Sequence, residues 1–166
     1  GQPIHVRAAR RPRLSNFTDV DVLEACPGFA FRCVEHPAAL ADADLIVIPG
    51  TKSTIADLRF LWSSGMAAEI IRKSKAGTAV IGICGGFQML GSRILDPQGL
   101  DSSAGSIKAL GLLDIETVFS AEKETRQTAG EVVAPTPLLP EGAIVWGYEI
   151  HMGRSILGPE AAQLLQ

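Results

Sequence analysis

The segment Gly82-Ile83-Cys84-Gly85-Gly86 has the form G-x-C-x-G, with an apolar β-type run before it and a helical pattern after it. This is the cysteine version of a nucleophile elbow, in which the reactive side chain stands on a tight strand-to-helix turn. Glycines on both sides of the nucleophile let the backbone turn without Cβ clashes. The Cys84 sulfur is then displayed at the carboxyl end of a sheet, where open α/β folds place their ligands. The positive end of the following helix favours thiolate over thiol, and the Gly85 N–H points the right way to help hold an oxyanion. A buried structural cysteine beside a glycine-rich helix start is the alternative, and the pattern alone leaves it open.

A companion loop, Pro49-Gly50-Thr51-Lys52-Ser53-Thr54, closes the apolar run that ends at Ile48. Its backbone N–H groups at Gly50 and Thr51 are candidates for the second oxyanion donor; taken without Cys84, the loop reads rather as a plain turn with a Ser/Thr cap. The G-x-x-x-x-G-K-[ST] spacing of a phosphate loop is absent. A thiolate nucleophile normally needs a histidine within hydrogen-bond reach. His5 falls in a first strand and His36 precedes a proline, so both suit surface or core positions. His151 follows a strand, Val145 to Ile150, where either a site role or a structural one fits. Glu149 is two residues from His151 and shares its strand face.

These residues need elements to carry them. Ile4 to Ala8 and the alternating Phe29 to Val34 read as strands. Cap-type residues Ser15 to Asp19 precede a short helical pattern. Asp44 to Ile48 is a continuous apolar run stopped by Pro49-Gly50, as expected of a parallel strand covered on both faces. Ser53-Thr54 is expected to cap a helix carrying Ile55, Leu58 and Leu61. A second helix, Met66 to Lys75, ends before Gly77, a natural position for a left-handed residue. Thr78 to Ile83 reads as the buried strand leading into the elbow, with a helix beginning near Phe87. Residues 98–108 read as a surface loop, and Leu112 to Phe119, Gly130 to Val133 and Ala143 to Ile150 as later strands. Strands and helices alternating in this order predict an α/β domain with a mostly parallel sheet flanked by helices.

The chain has 166 residues, 46% of them hydrophobic and 20% charged. That suits one domain with a real core, spanning 1–166 without linker or internal repeat, and excludes a disordered chain. With 15 Lys+Arg against 18 Asp+Glu the net charge is −3, so a basic footprint for nucleic acid is missing. The run Arg7, Arg10, Arg11 and Arg13 reads as a solvated strand end. No apolar stretch reaches the ~18 residues of a membrane helix, and the N-terminus does not read as a signal peptide. Cys26, Cys33 and Cys84 are an odd set without metal-ligand spacing, which points to no metal site and to a reducing, cytoplasmic setting, with Cys26 and Cys33 structural.

Four blocks occur in order: Ser15-Asn16-Phe17-Thr18-Asp19; Ile48 through Leu58 (IPGTKSTIADL); Gly82 through Gly91 (GICGGFQMLG); and Gly147-Tyr148-Glu149-Ile150-His151-Met152-Gly153. Together they resemble the glutamine amidotransferase domain of the cobyric acid synthase family, and the resemblance covers essentially the whole chain. It implies a flavodoxin-like, class I (triad-type) glutaminase fold that hydrolyses the side-chain amide of L-glutamine through a γ-glutamyl thioester and releases ammonia. Carried over residue by residue, it implies Cys84 as nucleophile, an oxyanion hole at Gly85 and the Gly50-Thr51 turn, and substrate contacts from Gln88 and His151. It also implies a separate ATP-dependent synthetase domain, holding ATP and Mg, that uses the ammonia to amidate carboxylates of a corrinoid, adenosylcobyrinic acid a,c-diamide. No cofactor is implied for the glutaminase domain itself.

The chain opens on Gly1 and carries no synthetase half, so a fragment is expected. The family's catalytic histidine is expected in a strand-end segment resembling G-T-x-x-H-G, which does not occur before Gln166; His151 matches a different block, on the substrate side. A domain truncated at its C-terminus, weak or inactive alone, is the resulting expectation. Other readings are a glutaminase subunit serving a ligase that amidates cell-wall precursors, a cysteine or ester hydrolase using Glu149 with His151, and a catalytically incomplete interaction module.

Overall fold

The computed structural model describes residues 2–9, 18–103, 105–134 and 140–164. Strands β1 (Ile4–Ala9), β2 (Phe29–Val34), β3 (Leu45–Ile48) and β4 (Ala79–Gly82) form a parallel sheet in the order β2-β1-β3-β4. Helices α1 (Thr18–Ala25), α2 (Thr54–Ser63), α3 (Met66–Lys75) and α4 (Gly85–Leu90) lie between strands in the chain. This is the parallel sheet flanked by helices that the alternation predicts. The caps expected at Ser15 to Phe17, and Arg10, Arg11 and Arg13, lie outside the described residues.

The sheet core explains the apolar run at Leu45–Ile48. Ile46 and Ile48 face a cluster with Ile55, Leu58, Leu61, Ile70 and Met89, while Leu45 and Val47 face the opposite one with Val6 and Ala8. Side chains of successive strand residues point to opposite faces, so a strand covered on both sides must be apolar throughout. Each fully buried Ile or Leu in this layer contributes roughly 1.5–3 kcal/mol.

A second sheet lies C-terminal to the elbow: β5 (Arg93–Leu95), β6 (Ser106–Lys108), β7 (Ile115–Glu131) and β8 (Ile144–Leu157), in the order β6-β5-β7-β8. It is mixed, with β5 parallel to β7 and the β5–β6 and β7–β8 pairs antiparallel. Three expectations change here. The strands read at Leu112 to Phe119 and Gly130 to Val133 are largely one strand, β7, running from Ile115 to Glu131. The loop at 98–108 contains β6. The strand read to end at Ile150 continues to Leu157, so His151 lies within β8 rather than at its end. The polar stretch Glu122 to Thr128 concealed the long hairpin, because cross-strand pairing alone sustains it beyond the core.

Arg7 is not a solvated strand end. It is buried, donating from Nη1 to the Ala30 carbonyl at 2.6 Å and from Nε and Nη2 to Asp42 at 2.9 and 2.5 Å. Its place on the central strand β1 forces the guanidinium to find partners inside.

Candidate active site

Cys84 joins β4 to α4, and its backbone stands at φ 52°, ψ −115°, the one positive φ among the described non-glycine residues. L-residues adopt such a conformation only where the surroundings impose it. The imposing contacts are backbone to backbone. The Ile83 N–H donates to the Ile48 carbonyl at 3.0 Å and the Gly86 N–H to the Ile83 carbonyl at 2.8 Å. A Cβ on Gly86 would lie 1.9 Å from the Ile48 carbonyl oxygen, and one on Gly82 would lie 2.6 Å from the Gly86 carbonyl. Both elbow glycines are therefore required by close approach. The helix after the elbow starts at Gly85, earlier than Phe87, because the Gln88 N–H already closes a turn onto the Cys84 carbonyl at 3.2 Å.

The companion loop packs against the elbow. A Cβ on Gly85 would sit 2.7 Å from the Thr51 Cγ2 and 3.6 Å from the Thr51 nitrogen. Gly50, one residue earlier, is buried. The Thr51 hydroxyl donates to Asp57 at 2.6 Å and accepts from the Ser53 N–H at 3.1 Å, which holds the loop to the first turn of α2. The Ser53 side chain makes no cap hydrogen bond. Instead the Asp101 carboxylate accepts the Ile55 N–H at 2.7 Å, so a distant loop caps the helix.

That loop is organised by Asp96. Burial alone pushes its carboxyl up, but backbone N–H groups of Ser102, Asp101, Leu100 and Gly99 together outweigh this and hold it below the ordinary range. Three of these bonds measure 2.8 to 2.9 Å.

From the other side, β8 lies over the elbow. The Cys84 thiol donates to the Ile150 carbonyl at 3.4 Å, and the Gln88 amide donates to the Met152 carbonyl at 3.0 Å. His151 stands between these carbonyls in sequence, yet neither ring nitrogen is bonded to Cys84: Nδ1 is 2.9 Å from the Gly153 carbonyl and Nε2 is 2.9 Å from Glu149. Both partners offer acceptor oxygens. Glu149, which also receives Arg126 at 2.6 Å, has its carboxyl lowered first by the His151 hydrogen bond and then by the Arg126 bond. Of the other histidines, His5 pairs with Asp42 and His36 precedes a short 3₁₀ turn.

Cys84, Gly85, Thr51, Gln88 and His151 line one cavity of about 360 Å³, within the ~300–1,000 Å³ of small-molecule sites. The arrangement sets the Cys84 thiol in a cavity that Gly85 and Thr51 also line, with the Ile150 carbonyl bonded to it. Sequence reasoning missed Asp101, Phe119, Lys123 and the two β8 carbonyls, which the second sheet and the Asp96 loop deliver to the same cavity. Only the turn signal at Asp96-Pro97-Gln98-Gly99 hinted at that loop. Cys26 and Cys33, read as structural, are exposed and in no disulfide, as is Cys84.

Residues 5–166 match the family described as the CobB/CobQ-like glutamine amidotransferase domain. The chain belongs to that family. It is similar to the cobyric acid synthases of Alkaliphilus metalliredigens (47% identical over 159 residues), Dehalococcoides mccartyi (47% over 156) and Mycolicibacterium vanbaalenii (48% over 154). Each match covers 93% of this chain and 30 or 31% of the relative, so this amidotransferase domain spans less than a third of the length of those proteins. Among solved structures, PurLQS from Thermotoga maritima superposes with a TM-score of 0.73 at 18% identity, covering 100% of this chain and 74% of that one. A glutamine amidotransferase crystal structure gives 0.69 at 18% identity, covering 98% and 79%. These two show the fold: the domain is built as glutamine amidotransferases are. No helix among the described residues is long and apolar enough to cross a membrane.

Proposed function

We propose that this amidotransferase domain is the glutaminase part of a cobyric acid synthase. The observation that carries the reading is the strained backbone of Cys84, which stands at the wall of a cavity shared with Thr51 and Gly85. In the reaction, the Cys84 sulfur adds to the side-chain amide carbon of L-glutamine. The resulting oxyanion lies against the N–H groups of Gly85 and the Gly50-Thr51 turn. Collapse expels the amide nitrogen, protonated to ammonia, and leaves a γ-glutamyl thioester that water hydrolyses to glutamate. Gln88 fixes β8 over the elbow through the Met152 carbonyl and lines the substrate cavity. His151 acts on the substrate side rather than as the base, since its nitrogens serve Gly153 and Glu149.

The remaining two-thirds of the synthase would carry the ATP-dependent synthetase, with ATP and Mg, and would pass the ammonia to carboxylates of adenosylcobyrinic acid a,c-diamide in the cytoplasm. The likeness to cobyric acid synthases at 47% identity supports this assignment.

The test is covalent labelling with 6-diazo-5-oxo-L-norleucine, a glutamine-like electrophile, followed by peptide mapping. Cys84 is expected to be modified and to be protected by glutamine, while the equally exposed Cys26 and Cys33 are spared. Equal modification of all three cysteines, or none, would overturn the reading.

A further inference from the structure

The glutaminase reading accounts for the end of the substrate that reacts. It leaves the other end, an α-ammonium and an α-carboxylate, without assigned partners. The cavity beside Cys84 contains three charged side chains that the reaction does not use: Asp101, Lys52 and Lys123. Asp101 reaches it from the Asp96 loop, Lys52 from the turn after β3, and Lys123 from β7.

Asp101 is held rather than loose. Its own N–H donates to Asp96 at 2.9 Å, and its Oδ2 takes the Ile55 N–H at 2.7 Å, while Oδ1 has no hydrogen-bond partner among the described residues. A positioned carboxylate with a free oxygen at a cavity wall matches an ammonium.

Lys123 follows directly on the register shift in β7, between Val118 and Lys123, and pairs with Met152. The shift is accommodated at Gly153, φ 79°, where a Cβ would meet the Val118 carbonyl at 2.5 Å. It turns Lys123 to the side of Ile150 and Met152, whereas its chain neighbours Glu122 and Glu124 line a separate depression with Arg126 and Arg154. Among the described residues Lys123 has no ion-pair partner, so its ammonium is available to an incoming anion.

We infer that Asp101 and Lys123 form a recognition site for the α-amino acid head of the amide donor, Asp101 binding the ammonium and Lys123 the carboxylate. This deepens the glutaminase reading and rests on it. It makes the domain selective for a free α-amino acid over an amide within a peptide, which has neither charge at that position. Lys52, in the loop that carries Thr51, stays with the elbow wall in this assignment.

The experiment compares two electrophiles on Cys84 in the 166-residue chain. 6-Diazo-5-oxo-L-norleucine has the amino acid head; iodoacetamide lacks it. Asp101→Asn keeps an acceptor for the Ile55 N–H but loses the charge, and Lys123→Met keeps the stem. Each is expected to slow modification by the amino acid reagent about tenfold or more, the usual scale for a lost charge-assisted hydrogen bond. Modification by iodoacetamide should stay within about twofold, which separates lost recognition from a damaged fold. Protection by glutamine should need correspondingly higher concentrations, and N-acetylglutamine should protect poorly even in the unsubstituted chain. Unchanged rates with both reagents in both variants would overturn the assignment, as would a loss produced by Lys52→Met and not by Lys123→Met. If the unsubstituted chain is not modified selectively at Cys84, the glutaminase reading itself fails and this assignment falls with it.

Discussion

The thiol of Cys84 donates a hydrogen bond to the backbone carbonyl of Ile150 at 3.4 Å, joining residues 66 positions apart in the chain. One belongs to the parallel sheet's elbow and the other to the long hairpin of the second sheet, so Cys84 lies where the two sheets meet. The same seam is closed by Gln88 on the Met152 carbonyl. The Cys84 sulfur thus lies against a backbone carbonyl of β8, in a cavity that Thr51 and Gly85 also line. Reactivity should depend on the elbow's backbone as much as on the cysteine itself.

The clearest consequence concerns Gly86. With the Ile48 carbonyl 1.9 Å from a would-be Cβ, the contact is with backbone that cannot rotate away. Gly86→Ala is expected to lower stability by about 1–3 kcal/mol or more, as overpacking of a rigid site does. It should also abolish selective labelling of Cys84. Urea denaturation and peptide mapping on the same sample would check both, and an unchanged midpoint would contradict the packing argument.

Strain at Cys84 itself should be measurable. Its φ of 52° is costly for any residue with a Cβ and free for glycine. Cys84→Gly should therefore be more stable than Cys84→Ala by about 1 kcal/mol, despite glycine's greater unfolded-state entropy. Both variants remove the thiol, so the comparison isolates backbone strain from chemistry. Equal denaturation midpoints would mean that the turn relaxes around either residue.

His151 is not expected to act on the Cys84 thiol directly, because its nitrogens are bonded to the Gly153 carbonyl and to Glu149. The rate of Cys84 alkylation by iodoacetamide at neutral pH should be little changed in His151→Gln. No imidazole nitrogen among the described residues is bonded to Cys84, so ammonia release from glutamine by this chain alone should be slow; losing a triad base typically costs several orders of magnitude. Steady turnover by the isolated chain that disappears in Cys84→Ala would contradict this, and markedly slower alkylation in His151→Gln would give the histidine a catalytic role.

Asp96 should make stability depend on acidity. Its carboxyl is held below the ordinary range in the fold by backbone N–H groups that outweigh its burial. A depressed carboxylate contributes stability above its unfolded value, near ~3.9, and loses that contribution as pH falls through the folded value. Asp96→Asn should be less stable than the parent at neutral pH, and the gap should narrow below about pH 4. Urea midpoints at several pH values would show it; a constant gap would mean that the charge has no part in holding the loop.

Local signals were enough for much of this protein. The unbroken apolar run Leu45–Ile48 required a strand buried on both faces, and the spacing of Gly82, Cys84 and Gly86 required a sharp turn between strand and helix. These features rest on neighbouring residues, whose steric and burial requirements are written into consecutive positions. Partnerships across long intervals were not legible in the same way. Arg7 looked solvated until Asp42 and the Ala30 carbonyl enclosed it, and Ser53 looked like the cap of α2 until Asp101 took the Ile55 N–H. The hairpin from Ile115 to Leu157 read as fragments, because its polar middle is held by cross-strand hydrogen bonds rather than by a hydrophobic face. Residue types and spacing thus determined where Cys84 stands, on a sharp turn between strand and helix. Only the tertiary structure decided which carbonyl meets it and which charged side chains share its cavity, because a hydrogen bond or charge contact is chosen by distance in space and leaves no period in the chain.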